Sequence, residues 1–315
     1  MLKKTLKIGE RTDGTDINIP YIEFGHGDSP KIFLGFSVHG NELTALGTAW
    51  LLVDYLRTGS PKGTIKLVPG INVEGINYYT RGLPYSLTDL NRIYPGEKSG
   101  SLGQRITSLI WHLCKDCDYV IDVHCAGYCI PFILIDSVED KLLDKIISLA
   151  NSSGVSVVHE YEKDRYYLEH LEGSLSAVAL KNKKIGFTLE LKSVLGIDKD
   201  SSYIGYQALK NILIYLNFIA DKPESLNKVI HIPPSYRRKT VYAERGGLID
   251  YKTEPGAFVR ENKLIADIRN HFGDIIDRIV IPTDGYILAL STEPVVSTGG
   301  LVAEIAVKKH AKLPH

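Results

Sequence analysis

Four side chains of this 315-residue sequence combine metal-binding or proton-moving chemistry with an unexpected setting at or near the end of an apolar run. His39 and Glu42 stand in FSVHGNELTALG, residues 36–47, where an apolar strand gives way to an apolar helix. At i and i+3 across a helix entry, both can face one point. Imidazole and carboxylate are standard zinc donors. Gly40 would allow the sharp strand-to-helix turn. The rival role is a helix cap, in which Asn41 or Glu42 answers the free N–H groups and the helix dipole and His39 is a loop residue. His124 ends the run VIDVH, where a polar group needs a task. It is either a hydrogen-bonded core histidine or a third donor. A catalytic zinc takes three protein donors and leaves a position for water. Asp122, on the same strand face as His124, is placed to orient a ligand histidine.

Glu190 is the fourth, a carboxylate inside the apolar strand GFTLEL. An unpaired charge is costly there, so a cation is expected beside it. That cation is either a lysine or a metal site whose water the glutamate would deprotonate. Arg81, Asn91 and Arg92 lie in YYTRGLPYSLTDLNRIYPG, which lacks a clear period and reads as a loop. Arginine there suits two-point binding of a carboxylate, or steadying of an oxyanion. Scattered surface arginines are the alternative.

These residues need elements to bring them together. KIFLGFS, GTIKLVPGINV, DYVIDVH, PFILIDS, VSVVHEY and IGFTLEL read as buried strands. Between them ELTALGTAWLLVDYLRTG, GSLGQRITSLIWHLC, EDKLLDKIISLANSSG and SLSAVALKNKK read as helices, and SSYIGYQALKNILIYLNFIA follows as another. The alternation predicts an α/β three-layer domain on a mainly parallel, mixed sheet. Ligands of such sheets bind beyond the carboxyl ends of strands, where VHGNE, DVHCAG and TLEL stand. DKPESLNKVIHIPPSYRR reads as a linker, and short strands punctuated by Gly and Pro follow. Two domains are expected, a catalytic one over residues 1–222 and a small all-β one over 223–315.

Bulk composition excludes some functions. The 37 basic and 37 acidic residues cancel, so no excess of positive charge points to nucleic acid. Such a balance is compatible with self-association into a homo-oligomer. Neither a membrane span nor a signal peptide is expected, which predicts a cytoplasmic protein. Cys114, Cys117, Cys125 and Cys129 tempt a zinc reading. The strand from Cys117 to Cys125 would span roughly 26 Å at about 3.3 Å per residue, too far for one tetrahedral site. Reduced, buried thiols are expected.

In order, HGNE, DLNRIYPG, GSLGQRI, DVH and TLEL over residues 30–220 resemble the succinylglutamate desuccinylase/aspartoacylase family, of zinc carboxypeptidase-like fold. The resemblance implies one Zn2+ per chain on His39, Glu42 and His124, with Glu190 as general base and then acid. It assigns Asn91 and Arg92 to a substrate carboxylate and Arg81 to the scissile carbonyl. The implied activity is zinc-dependent deacylation of a small N-acyl amino acid or related N-acyl amine. Peptide cleavage as a metallocarboxypeptidase is the enzymatic alternative, and a non-catalytic, metal-binding regulatory protein is the alternative of another class. The chain departs from the family at Lys192, where TLEL is commonly followed by glycine. Sharing a strand face with Glu190, it would lie beside the active site, bind substrate through a second anion, or lower the pKa of Glu190. Gln104 stands where relatives often carry an acid. The C-terminal part resembles biotinyl/lipoyl-like β domains, but IPTDGYILAL has no lysine at its turn, so covalent cofactor attachment is not expected. YEKDRYYLEHLEG either lines the cleft or is a solvated loop.

Overall fold

The computed structural model describes residues 1–27, 30–136, 140–227 and 229–309. Ser137 and Glu139, at the ends of an expected strand and helix, lie outside them, as do residues 310–315 of the expected β module. The strands are β1 (Leu2–Glu10), β2 (Asp16–His26), β3 (Lys31–Phe36), β4 (Gly63–Val68), β5 (Tyr119–Cys125), β6 (Tyr128–Cys129), β7 (Phe132–Ile135), β8 (Ser156–His159) and β9 (Ile185–Leu191). The C-terminal strands are β10 (Tyr236–Tyr242), β11 (Gly247–Tyr251), β12 (Phe258–Val259), β13 (Leu264–Arg269), β14 (Ile275–Val280), β15 (Gly285–Leu290), β16 (Val295–Val296) and β17 (Leu301–Lys308). The helices are α1 (Leu43–Arg57), α2 (Val73–Tyr78), α3 (Leu102–Cys114), α4 (Asp140–Ser152), α5 (Lys163–Leu168), α6 (Leu175–Lys181) and α7 (Lys199–Tyr215).

The main sheet runs β1-β2-β4-β3-β5-β9-β7-β8-β10-β17-β15-β12. Its centre is parallel from β4 through β3 and β5 to β9. β7 turns antiparallel to β9. The apolar sequence of the central strands follows from burial on both faces. On one face Ala45, Leu52 and Leu56 of α1, Ile146 of α4 and Leu209 of α7 pack on Leu34, Ile121 and Leu189. On the other, Ile106 and Ile110 of α3 and Leu175 of α6 pack on Phe33, Val68 and Val120. These are the three layers expected of the α/β part, and Gln104 proves to be the reciprocal partner of Ser101 in the capping box that starts α3.

One expectation needs correction, and two further segments gain definition. The strand read over GTIKLVPGINV stops at Val68, and Val73 begins α2, capped by Asn72 accepting from the Gly75 N–H. The N-terminal segment contributes two strands, β1 and β2, which extend the sheet antiparallel beyond β4. The linker is not slack: Ile232 exchanges hydrogen bonds with Val157 and Ser156 beside β8. The C-terminal all-β region is built on a second sheet, β14-β13-β11-β16, packed around Ile268, Ile281, Ile287 and Ile305. Its other strands continue the main sheet, because β10 pairs with β8 and β15 with β6. A fourth apolar cluster, with Phe132, Leu134 and Val158 against Leu288 and Ala306, seals that junction.

Candidate active site

His39 lies three residues beyond β3, on a turn set by Ser37, whose φ of 52° is left-handed. The sharp turn is thus at Ser37 rather than at Gly40. Gly40 is needed for close approach: a β-carbon there would lie 1.9 Å from the carbonyl carbon of Gly75 in α2. Glu42 sits at the N-cap of α1 but makes no side-chain cap bond. Its carboxylate turns inward instead. Oε1 lies 2.7 Å from Nδ1 of His39, and Oε2 lies 3.2 Å from Nδ1 of His124 and accepts from the Cys125 N–H at 2.9 Å. The two Nδ1 atoms are 3.2 Å apart.

The outer ring nitrogens bear on what this cluster could hold. Nε2 of His39 faces Asp89 Oδ1 at 3.0 Å, and Nε2 of His124 faces Asp122 Oδ2 at 2.8 Å. A carboxylate only accepts, so each Nε2 carries the proton by the logic of the network. With both imidazoles neutral, both Nδ1 atoms present lone pairs to one another and to Glu42. Such an arrangement is repulsive without a cation between them. Three donors around a zinc would be spaced by about 3.3 Å, close to the distances seen. The acid-rich surroundings favour a positive charge at this point, whether a proton or a metal supplies it: burial disfavours a charged His124, but Asp122 and Glu42 outweigh it and hold the imidazole well above its usual range. Burial also opposes the charge on Glu42, and His39 and His124 overcome it, holding the carboxyl far below the ordinary range. The residues present therefore fit a metal ion, and all three are buried.

Register brings the fourth residue in. β5 pairs with β9 so that His124 stands opposite Glu190. Glu190 is 8% exposed and, among the described residues, its carboxylate makes no hydrogen bond. Burial, opposed by His124 and reinforced by Glu42, pushes its pKa up to about 8. A carboxyl so tuned can take a proton near neutral pH and give it back.

Arg81, after α2, donates from Nε and Nη2 to Asp89 Oδ2 at 3.2 and 3.1 Å, and Nη1 comes to 3.5 Å from Glu42. Asn91 and Arg92 lie in a single 3-10 turn, Leu90–Arg92, capped by Asp89. Asn91 Oδ1 accepts from the Leu175 N–H at 3.0 Å, which points Nδ2 toward His124 Nε2 at 3.3 Å. Arg92 Nη1 donates to the Asn91 carbonyl, and the side chain keeps about a quarter of its surface open. A cavity of about 630 Å³ is lined by all seven of these residues, His39, Glu42, Arg81, Asn91, Arg92, His124 and Glu190. Lys192 is not among its lining residues. β9 ends one residue earlier, at Leu191, and the ammonium bonds Asp198 at 3.1 Å over the ring of Tyr128. The segment left open between cleft and solvent does reach the cavity, through Arg165, Glu169 and Leu171. All four cysteines are free and buried.

Two sets of residues escaped the sequence. Asp89 was legible in principle: the reasoning that gave His124 a carboxylate partner demands one for His39, and TDLNR supplies it. The other set is Asp136, Glu160, Arg238 and Glu304, from four different strands or strand ends, also lining the cavity. No local spacing links them.

Residues 28–216 match the model of the succinylglutamate desuccinylase/aspartoacylase catalytic domain. A curated relative, the N-alpha-acetyl-L-2,4-diaminobutyric acid deacetylase of Halomonas elongata, is 28% identical over 112 residues, 35% of this chain and 33% of the relative. The match thus spans a third of that relative's length. Among solved structures, a succinylglutamate desuccinylase from Silicibacter sp. TM1040 superposes with a TM-score of 0.83 at 22% identity, over 97% of this chain and 93% of that one. The product-bound ectoine utilization protein EutE (DoeB) of Ruegeria pomeroyi gives 0.84 at 21% identity, over 98% and 95%. A metallo-carboxypeptidase from Burkholderia cenocepacia gives 0.52 at 16%, over 69% and 65%. These likenesses extend the shared fold across both parts of the chain. The chain belongs to the succinylglutamate desuccinylase/aspartoacylase family.

Proposed function

We propose that this member of the succinylglutamate desuccinylase/aspartoacylase family is a zinc-dependent deacylase that hydrolyses the amide of a small N-acyl amino acid or related N-acyl amine. The observation that carries the reading is the convergence of two imidazole Nδ1 atoms and the Glu42 carboxylate on one point, with Glu190 on the neighbouring strand. When bound there by His39, Glu42 and His124, one zinc ion would supply Lewis acidity and lower the pKa of water.

The chain's own groups divide the remaining work. Glu190 takes the proton of the attacking water and returns it to the departing nitrogen. Arg81, braced by Asp89, directs a guanidinium at the carbonyl oxygen as negative charge develops. Arg92, with Asn91, grips the carboxylate of the amino acid product half, the task for which a planar guanidinium is suited. Arg238, Tyr242, Leu301 and Glu304 close the cavity from the C-terminal region, which favours a small substrate over a long peptide. The functional partner is thus a small molecule bearing a carboxylate.

Metal analysis combined with a screen of N-acyl amino acids and short peptides, reading released amine, tests this. The expected result is one zinc per chain and turnover of N-acyl amino acids that stops on chelation. Cleavage of peptides alone would replace the reading with a carboxypeptidase. A metal-loaded protein that cleaves neither would make the chain a metal-binding protein without catalysis.

A further inference from the structure

Beside the reaction cavity lies a second one, of about 360 Å³, with a different balance of charge. Arg237 and Lys239 share one face of β10, and Val307 of β17 stands opposite Arg237. The ladder continues past β17, where the Lys309 N–H donates to the Ser235 carbonyl at 3.1 Å. Arg237, Lys239, Lys308 and Lys309 all line this cavity, and Glu162 is the single acid among its lining residues. Two further arginines border it but are committed, Arg165 to Glu169 and Tyr242, Arg238 to Glu160 and Glu304.

The four remaining cations are poorly compensated. Arg237 Nη1 donates to Glu162 at 2.5 Å, but that carboxylate is 61% exposed and water competes for it. Among the described residues, the ammonium groups of Lys239, Lys308 and Lys309 have neither a hydrogen bond nor an ion pair. Four cations against one acid leave three positive charges in excess around one cavity. The field is felt nearby. Burial lowers the pKa of Lys239, and burial with Arg237 lowers that of Lys309. His159 stands opposite Arg237 on β8, buried, and is held down to about 4 by burial and then by Lys309 and Arg237. A fold that gathers like charges without answering them leaves that task to a bound counter-ion.

We infer that this cavity is a second ligand site, separate from the metal centre, for a phosphate group, free or carried on a small organic molecule. A phosphate brings close to two negative charges and three or more acceptor oxygens pointing in different directions. That suits point-charge ammonium groups and a guanidinium arriving from two strands. A carboxylate brings one charge and two coplanar oxygens, and would leave most of the excess standing. Val307 and the rings of Tyr161 and Tyr242 offer apolar surface to the rest of such a molecule. Tyr161, Arg165, Arg238 and Tyr242 line both cavities, so a ligand here would touch the wall of the reaction cavity without entering it. The site stands whether or not the chain is a deacylase.

Calorimetric titration of the metal-loaded protein with inorganic phosphate, phenyl phosphate and acetate, at constant ionic strength in chloride, tests it. Saturable phosphate binding with a Kd of about 1 mM or below is expected, and acetate should bind at least about tenfold more weakly. Lys239→Gln and Lys309→Gln should each weaken phosphate about tenfold, the size of one charge-assisted hydrogen bond. Each removes a charge that burial disfavours, so both variants should fold. The binding that they weaken should persist in Arg92→Ala, which alters the reaction cavity instead. Tighter binding of phenyl phosphate than of phosphate would assign the site to a phosphomonoester, and equal binding to the free ion. Absence of saturable binding, acetate binding as tightly as phosphate, or affinity unchanged in both lysine variants overturns the site. Loss of all phosphate binding in Arg92→Ala does so too, by moving the anion to the reaction cavity.

Discussion

The two sides of the cavity hold buried carboxylates in opposite ways. On the β5 side, Glu42, Asp89 and Asp122 each face an imidazole at 2.7–3.0 Å, and two donors share one point with Glu42. On the β7 side, Asp136, Glu160 and Glu304 share one guanidinium, and one oxygen is left over. Both sides are acid-rich and both call for a cation, but of different kinds. Lone pairs spaced near 3 Å with carboxylates behind them suit a point charge of fixed coordination, such as a metal ion. Carboxylates spread over several strands and gathered on one guanidinium form an ion-pair network. The same physical rule, that buried negative charge must be compensated, thus has a different answer on each side.

The largest effect that would break this comparison is on Glu190, which sits between the two sides. Glu190→Gln keeps the shape and removes the proton acceptor. Turnover is expected to fall about 10²–10⁴-fold with zinc content unchanged, measured by metal analysis and steady-state kinetics. Near-normal turnover would take Glu190 out of its role. Next in size is Arg238→Leu. It strands Glu160 and Glu304 without a counter-charge, at a cost of about 3–5 kcal/mol in folding stability. Denaturant unfolding of the variant reads it, and a loss below about 1 kcal/mol would mean that the β7 side is wetter or better compensated than its burial implies.

A smaller effect separates the histidine partners. Asp89→Asn and Asp122→Asn should each weaken zinc binding by about 10–100-fold, read by competition with a chromophoric chelator. Asp89→Asn should in addition raise KM or lower kcat, because Asp89 also braces Arg81. Equal effects of the two variants on metal and turnover would show that Arg81 is positioned without it.

The reach of sequence reasoning follows the same divide. The α/β layers were legible because strands buried on both faces must be apolar throughout, as in KIFLGF and YVIDVHC. The β5 side was legible because His39 and Glu42 are three residues apart and His124 and Glu190 interrupt strands that have no other use for charge. β1 was not, since six of its nine residues are exposed, none is buried and KKTLKIGE has the texture of a polar tail. α2 was hidden because VEGINY continues an apolar run past a Pro-Gly turn. Lys192 was placed on the face of Glu190 by strand alternation, which fails when the strand ends one residue sooner. The β7 side depends on strand order, with β10 and β17 docking beside β8, and no window of sequence contains that information.

Asp136 provides the finest probe of the β7 side, through pH. Its folded-state pKa is raised to about 6 from an ordinary 3.8, by burial and then by Glu160. A carboxyl that holds its proton more tightly in the folded chain favours folding at low pH. That contribution is fully present below the unfolded pKa near 4 and is lost as pH rises through about 6, where the buried charge forms. Asp136→Asn removes the titration, so the variant should gain stability relative to the original between pH 4 and 7, by about 3 kcal/mol, and level off above. Urea unfolding at a series of pH values measures it. A gain with the opposite pH dependence would show that Asp136 is charged and compensated in the folded chain.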